Sequence, residues 1–179
     1  MKLCIVIPAH NEEAVLEHTH KELCKTLHAL MDRGEISADS FLCFVDDGSK
    51  DRTWDILCSL SKDSQSIDSK NIESKQGGIT TKALKLSRNC GHQNALLAGL
   101  EYVADKCDCA ISIDCDLQDD ISVFDEFVAK AKMGAEVILG VRKSRQKDSF
   151  FKKHTALGFY RLMEIMGVKI TYNHADYRL

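Results

Sequence analysis

Two aspartates separated by a single residue, Asp114 and Asp116, follow the short apolar run Cys109–Ile113. Alternate side chains of an extended segment point the same way, so both carboxylates would face one space. Close carboxylates repel each other, and a hard divalent cation such as Mg²⁺ or Mn²⁺ would neutralise them, with Gln118 adding a carbonyl oxygen. The alternative is that these acids only cap the next helix. Asp119 and Asp120 are better placed for capping, so the pattern favours a metal site.

A second acidic pair, Asp46 and Asp47, follows the apolar run Phe41–Val45. An acid at the end of the second parallel strand of an α/β sheet commonly binds a nucleotide ribose hydroxyl, and here a carboxylate could instead accept from a base N–H. A type I turn is the alternative, because Asp and Gly are ordinary in such turns. Two acids before Gly48 exceed what a turn needs. No GxGxxG motif follows the first strand, which counts against a dinucleotide cofactor.

Basic residues offer candidates for phosphate binding. Arg88 follows the predicted strand Lys82–Leu86 and could meet phosphate charge, although an isolated surface arginine is usually only solvated. Basic and aromatic residues mix between positions 142 and 161, a composition that suits an anionic membrane surface or a phosphate-bearing acceptor. A solvated helix face explains the same segment equally well.

Two further patterns are rejected as sites. His20, Cys24 and His28 have helical spacing and could chelate a soft metal, but a fourth ligand is missing. Cys115 lies between the two acids, but no partner base identifies it as a nucleophile.

Short strand-like runs alternate with helical patterns along the chain. The predicted strands are Leu3–Ile7, Phe41–Val45, Lys82–Leu86, Cys109–Ile113 and Val137–Val141. The predicted helices are Glu12–Met31 with Asn11 as its N-cap, Thr53–Leu60, Gln93–Val103, Val123–Lys132 and Phe150–Met166, and Ser61–Gly78 is predicted as an exposed loop. This alternation predicts a three-layer α/β domain with a mostly parallel sheet. Ligands of such sheets bind at the carboxyl ends of the strands, where both acidic pairs would meet.

Composition limits the class of protein. The 179 residues carry 24 basic and 27 acidic side chains, a formal charge of −3, and 44% of them are hydrophobic, which indicates one globular domain and argues against nucleic-acid binding. Since there is neither a signal-peptide pattern nor an apolar run of about 20 residues, we expect a soluble, cytoplasmic protein. Eight cysteines without a CxxC pair are expected to be reduced thiols.

Taken together, the ordered motifs resemble family 2 glycosyltransferases of the GT-A fold. The likeness is greatest to the polyprenyl-phosphate branch, which includes dolichol-phosphate mannosyltransferases and bactoprenol glucosyltransferases. It covers almost the whole chain in the right order. The matching segments are Ile5–Glu13, Phe44–Thr53, Leu86–His92, Ala98–Leu100, Ile113–Asp119, Gly140–Arg142 and Ala175–Leu179.

The resemblance implies a nucleotide-diphosphate sugar (a UDP- or GDP-sugar) as donor, Mg²⁺ or Mn²⁺ as cofactor and an inverting transfer. By resemblance, the donor site comprises Pro8, Ala9, Asn11, Glu13, Asp46, Asp47, Arg88 and Asp114, with Asp46 on the base or ribose. Asp114, Asp116 and Gln118 correspond to the metal-binding motif, and Arg142 and Lys153 to the acceptor-phosphate contacts. Asp176 corresponds to the catalytic carboxylate near the reacting centre, often described as a base. The resemblance implies a polyprenyl phosphate at the cytoplasmic membrane face as the acceptor. It leaves open whether the protein forms a homo-oligomer.

Three features depart from the family pattern. His10 stands where an aromatic residue is usual, and Asp120 where proline is common. Relatives continue beyond the motif that contains Asp176, so residues 1–179 are expected to form a GT-A catalytic domain truncated at its C-terminal end. One alternative is therefore a non-catalytic nucleotide-sugar-binding fragment. Another is a haloacid-dehalogenase-like phosphatase, in which the first acid of Asp-x-Asp is the nucleophile.

Overall fold

The computed structural model describes residues 1–60, 71–76, 79–141 and 174–178. Its strands are β1 (Leu3–Ala9), β2 (Phe41–Asp46), β3 (Asn71–Gln76), β4 (Ile79–Lys85), β5 (Cys109–Ser112), β6 (Leu139–Val141) and β7 (His174–Arg178). Its helices are α1 (Leu16–Asp32), α2 (Thr53–Leu60), α3 (His92–Val103) and α4 (Phe124–Lys132), the last preceded by a 3-10 turn at Ile121–Val123. The predicted helix Phe150–Met166 lies outside the described residues.

The described strands form one sheet in the order β3-β4-β2-β1-β5-β7-β6. The four central strands β4, β2, β1 and β5 run parallel, which confirms the predicted mostly parallel α/β sheet. Strands β3 and β7 run the other way, since β3 is antiparallel to β4 and β7 is antiparallel to β5. Strand β6 is antiparallel to β7 and therefore runs in the same direction as the central strands. Parallel strands β1, β2, β4 and β5 therefore bring their carboxyl ends to one edge of the sheet.

Helices cover both faces of the sheet, so the central strands are apolar on both sides. All seven residues of β1 are buried. On one face Ile5, Ile7 and Phe44 belong to a core cluster with residues of α1, α2 and α4. On the other face Val6 and Val45 belong to a second cluster with α3. A Cβ on Gly99 of α3 would lie 2.5 Å from Val6 Cγ1, so the absence of a side chain there lets the helix approach the sheet closely.

Helix α1 begins at Leu16, four residues later than predicted, and Asn11 is not its N-cap. Asn11 instead has a left-handed backbone with φ 57°. The N–H groups of the next two residues are already bonded outside the helix, that of Glu12 to Thr53 Oγ1 (2.8 Å) and that of Glu13 to an Asp51 carboxylate oxygen (3.2 Å). These contacts hold residues 11–13 as a loop against the start of α2.

Two strands were missed by the sequence patterns. The interval Ser61–Gly78 was predicted as a loop, but it contains β3, which pairs with β4 from Asn71–Leu84 to Gln76–Ile79. Strand β7 was not predicted at all. Within the described residues, the other predicted strands and helices occur with ends shifted by a few residues, and α2 has the predicted bounds Thr53–Leu60. None of the described helices has the length and hydropathy needed to cross a membrane.

The cysteines and the rejected metal site are accounted for by packing. All eight cysteines lie in described segments and are free thiols, as expected. His20 is buried in α1, where its Nε2 lies 2.9 Å from Thr81 Oγ1. Burial raises the pKa of Cys115 to about 12, which keeps it a neutral thiol rather than a nucleophile.

Candidate active site

A pocket of about 280 Å³ opens at the edge where the parallel strands end. It lies outside the carboxyl ends of the strands, the usual ligand position in open α/β sheets. The loops that follow β1, β2, β4 and β5 all contribute to its wall. The lining residues are Pro8, Ala9, His10, Glu12, Asp47, Asn89, Gly91, His92, Ala95, Asp114, Cys115 and Asp116.

The acid pair after β5 lies on this wall. Asp114 keeps 39% of its side chain exposed and Asp116 is exposed, whereas Cys115 between them is buried at 3%. The Thr19 hydroxyl of α1 donates to the Cys115 carbonyl and so anchors the turn from behind. Leu117 then adopts a left-handed backbone with φ 51°, and the N–H of Gln118 donates to Asp116 Oδ1 at 3.1 Å. Both carboxylates are thus accessible from the same cavity.

Glu12 adds a fourth carboxyl group to the wall, beside Asp47, Asp114 and Asp116, and the sequence patterns did not select it. Burial raises the pKa of Glu12 above its ordinary value, and the negative charges of Asp116, Asp51 and Asp114 raise it further. Glu12 lies between Asn11 and Glu13, two residues that the family resemblance assigned to the donor site. This position within the motif was the signal in the sequence that could have identified it. The pocket wall therefore presents several carboxylate oxygens, and their negative charges lie close together.

This donor set suits a hard divalent cation, which prefers carboxylate oxygens and completes its coordination with water and phosphate. In the described part of the chain, no group of three or more His, Cys, Asp or Glu residues is arranged to hold a metal ion by itself. Asp114 also has a neighbour in His92 at the start of α3, whose Nε2 lies 3.5 Å from Asp114 Oδ1. Substrate oxygens would have to complete any cation site at Asp114 and Asp116.

The acid pair after β2 divides into two different environments. Asp46 is fully buried; its Oδ1 accepts from the Ser49 N–H at 3.1 Å, and its Oδ2 has no hydrogen-bond partner among the described residues. Asp47 is 2% exposed and uses both oxygens, accepting from the N–H groups of Cys90 (2.7 Å) and Gly91 (2.9 Å). Asp47 therefore ties the loop after β2 to the loop after β4, while Asp46 retains an unused acceptor.

Comparison with known proteins identifies the family. The family model for glycosyl transferase family 2 matches residues 4–179. The chain belongs to glycosyltransferase family 2. It is 49% identical over 177 residues to the uncharacterized glycosyltransferase YkoT of Bacillus subtilis (strain 168), covering 99% of this chain and 48% of that protein. It is 32% identical over 180 residues to the prophage bactoprenol glucosyl transferase homolog of Escherichia coli (strain K12), covering 100% of this chain and 52% of the relative.

The fold comparison agrees with this assignment. The crystal structure of S. aureus TarS 1-349 in complex with UDP matches with a TM-score of 0.53 and 17% sequence identity, over 83% of this chain and 38% of that one. The similarity confirms the GT-A fold predicted for this family 2 glycosyltransferase domain. It offers no support for a haloacid-dehalogenase-like phosphatase. The chain spans about half the length of the curated relatives it matches.

The structure brings only some of the predicted donor-site residues of this family 2 domain to the pocket wall. Pro8, Ala9, Asp47, Asp114 and Asp116 are there. The wall also includes His10, Asn89 and His92, which were not selected as site residues although they lie within the motifs that carry the family resemblance.

Asn11 and Glu13 lie beside the pocket rather than on its wall. Asn11 Oδ1 accepts from the Lys50 N–H at 2.9 Å, and Glu13 Oε2 accepts from the Arg52 N–H at 3.0 Å. Both side chains therefore join the loop after β1 to the loop after β2, a bracing role in place of the direct wall contact that was expected.

The remaining predicted site residues either are absent from the pocket wall or lie outside the described residues. Arg88 and Gln118 are exposed and are not among the residues that line the pocket. Asp176 lies on β7, next to the strand β5 that leads to the acid pair. Arg142 and Lys153 lie outside the described residues.

Proposed function

We propose that this chain binds a nucleotide-diphosphate sugar in the pocket at the carboxyl edge of the sheet and forms the donor-binding part of an inverting glycosyltransferase. The observation that carries the proposal is the pair of accessible carboxylates, Asp114 and Asp116, on the wall of that pocket. The family assignment supplies the reaction class, and the names of the bactoprenol glucosyl transferase relatives support a polyprenyl phosphate acceptor.

The nucleotide is assigned to the part of the site near Asp46. A buried carboxylate oxygen without a donor is energetically unfavourable, and Asp46 Oδ2 is such an oxygen among the described residues. A base N–H or a ribose hydroxyl would supply the missing donor. Because this oxygen is buried, the loop after β2 must adjust slightly when the ligand binds.

Asp114 and Asp116 would hold a divalent cation, either Mg²⁺ or Mn²⁺, and Gln118 could add an amide oxygen after its exposed side chain turns inward. A bound cation of this kind neutralises the negative charge that grows on a diphosphate leaving group. Burial and then the negative charges of neighbouring acids, Asp116 and Asp114 among them, raise the pKa of Glu12, and a cation held by that pair would offset the contribution of their charges.

The transfer itself needs little covalent chemistry from the protein. An acceptor oxygen attacks the anomeric carbon from the face opposite the diphosphate, the carbon–oxygen bond to the diphosphate breaks, and the configuration inverts. A phosphate acceptor is already ionised, so Asp176 would act by positioning and electrostatics; a hydroxyl acceptor would need Asp176 as a base. Arg142 and Lys153 are assigned to the acceptor phosphate, and a lipid acceptor places the protein at the cytoplasmic membrane face.

Calorimetry with UDP, GDP and their sugar conjugates, with and without Mn²⁺, tests donor binding. We expect binding that requires the metal. Asp116→Asn should weaken it by at least about tenfold, or about 1.4 kcal/mol. The matched control is Asp120→Asn, which removes the same charge from the same loop but keeps a good cap for the 3-10 turn. Equal affinity in the wild-type protein and Asp116→Asn would remove Asp116 from the site.

A second reading is a fragment that binds nucleotide sugars without turnover, because the chain spans about half of its relatives. Release of nucleoside diphosphate in the presence of Mn²⁺ and a polyprenyl phosphate would establish the transferase. Metal-dependent binding without such release would favour the binding fragment.

A further inference from the structure

The hydrogen bonds around His10 fix the protonation pattern of its ring. His10 Nδ1 lies 2.8 Å from the carbonyl oxygen of Asp47, and since a carbonyl only accepts, Nδ1 carries the hydrogen. His10 Nε2 lies 2.9 Å from Asn89 Nδ2 and 3.0 Å from Asn11 Nδ2.

The surrounding N–H groups set the orientation of both asparagine amides. The Gly91 N–H is shared between Asp47 Oδ2 (2.9 Å) and Asn89 Oδ1 (3.0 Å), and Asn11 Oδ1 accepts from the Lys50 N–H at 2.9 Å. Each amide therefore presents its NH₂ group to the imidazole, and Nε2 must be the acceptor. The ring is a neutral Nδ1–H tautomer whose two nitrogens are both occupied.

This ring joins three loops that come from separate parts of the chain. His10 follows β1, Asp47 follows β2, and Asn89 precedes α3, and all three residues line the pocket. Asp47 strengthens the same junction, because its carboxylate holds the N–H groups of Cys90 and Gly91. An imidazole supplies a donor on one side and an acceptor on the other, which a phenylalanine ring at this position could not do.

We propose that His10 is a positioning residue for the nucleotide: it sets the separation between the loop after β2 and the loop that carries Asn89 and Gly91. The inference rests on the proposed function, since it takes this wall to be part of the donor site. With both nitrogens engaged inside the protein, His10 neither carries a proton for the reaction nor donates to the ligand. Its removal acts through the shape of the wall, so it should affect donor KM or affinity rather than kcat.

Three substitutions separate the two halves of the junction. His10→Asn keeps a polar group near the Nδ1 position and can donate to the Asp47 carbonyl, while His10→Gln keeps one near Nε2 and can accept from Asn89. His10→Phe keeps a ring and loses all three contacts. His18→Phe, at an exposed position of α1, controls for the added phenyl group.

The first measurement needs no ligand. In ¹⁵N-labelled full chain, long-range ¹H–¹⁵N spectra should show a protonated Nδ1 and an unprotonated Nε2 for His10. The amides of Cys90 and Gly91 should exchange with solvent at least about tenfold faster in His10→Phe, because the loop that holds them against Asp47 is less well fixed. An Nε2–H tautomer, or equal exchange rates in the two proteins, would overturn the inference.

The second measurement is the affinity for UDP and for GDP in the presence of Mn²⁺. We expect His10→Phe to lose about tenfold or more in affinity, His10→Asn and His10→Gln each to recover part of it, and His18→Phe to match the wild type. If His10→Phe binds UDP and GDP as tightly as the wild-type protein does, this inference is overturned, whereas the proposed function is not. A wild-type protein that binds neither nucleotide would overturn the proposed function, and with it the nucleotide part of this inference.

Discussion

Gly48 lies where the loop after β2 crosses the loop after β4, and Gly48→Ala is the substitution that tests this crossing most directly. Gly48 has φ +63°, a left-handed conformation that glycine adopts without strain. A Cβ built on Gly48 would lie 2.4 Å from the carbonyl carbon of Arg88 and 2.5 Å from the N atom of Asn89. Both are backbone atoms, so no side-chain rotation can relieve the overlap.

The expected loss of stability has two parts. The left-handed conformation costs about 1–2 kcal/mol for a residue with a side chain. Restoring ordinary contact requires the loops to separate by about 1 Å, which lengthens the two bonds from Cys90 and Gly91 to the Asp47 carboxylate. Hydrogen bonds to a charged group contribute about 1.5–3 kcal/mol each, so partial loss of two of them brings the total to about 3–5 kcal/mol.

Urea denaturation of the wild-type protein, Gly48→Ala and Gly34→Ala measures this difference. Gly34 also has a left-handed backbone, φ +70°, but a Cβ there would meet nothing within 4 Å. Gly34→Ala should therefore lose only about 1–2 kcal/mol. The excess loss in Gly48→Ala reports the close approach of the two loops. Equal losses in the two variants would refute the tight crossing on which the pocket wall depends.

Two further predictions concern groups whose pKa values are shifted by the fold. Burial lowers the pKa of His20 below its ordinary value of 6.5, so the unfolded chain binds a proton more readily than the folded protein. The free energy of unfolding should therefore fall as the pH drops below about 6.5. Measured by urea denaturation at about pH 7.5 and 5.5, this loss should be smaller in His20→Gln than in the control His18→Gln. Burial alone would raise the pKa of Asp51, but hydrogen bonds from Thr53 and Glu13 outweigh this effect and lower the pKa. The ionised carboxylate therefore stabilises the folded protein fully above the ordinary pKa of 3.8, and this stabilisation is lost at lower pH. Asp51→Ala should accordingly lower the melting temperature at pH 7 and the free energy of unfolding by about 1 kcal/mol, and a variant as stable as the wild type would contradict this role.

The central part of the fold was predictable because its pattern is local. Strands β1 and β2 are apolar apart from Asp46 at the end of β2, as expected for strands buried on both faces, and the leucines of α1 recur at helical spacing. Strand β3 was not predictable in the same way. Its sequence, Asn71–Gln76, has one large apolar residue and no apolar alternation, and it pairs antiparallel with β4.

The start of α1 shows a second limit. Asn11 followed by two glutamates is a good helix-start signal, yet the helix begins at Leu16. The N–H groups that an N-cap would satisfy are instead bonded to side chains about 40 positions later in the sequence, such as Thr53 and Asp51. A local signal cannot anticipate competition from a loop that tertiary structure brings alongside.

The two acidic pairs differ in the same respect. Asp114 and Asp116 could be assigned to one cavity because both closely follow an apolar strand, although the predicted extended alternation is not what places them: β5 ends at Ser112, and the pair belongs to a turn in which the Leu117 N–H donates to the Asp114 carbonyl. Asp46 and Asp47 are adjacent and look equivalent in the sequence, but the N–H groups that occupy Asp47 come from Cys90 and Gly91, 43 and 44 positions away. Asp46 receives no such pair of donors from that loop. The loop after β4 therefore decides which of the two acids braces the pocket wall. On the proposed function, Asn89→Ala should weaken the affinity for UDP or GDP measured by calorimetry, and an affinity equal to that of the wild type would contradict this role.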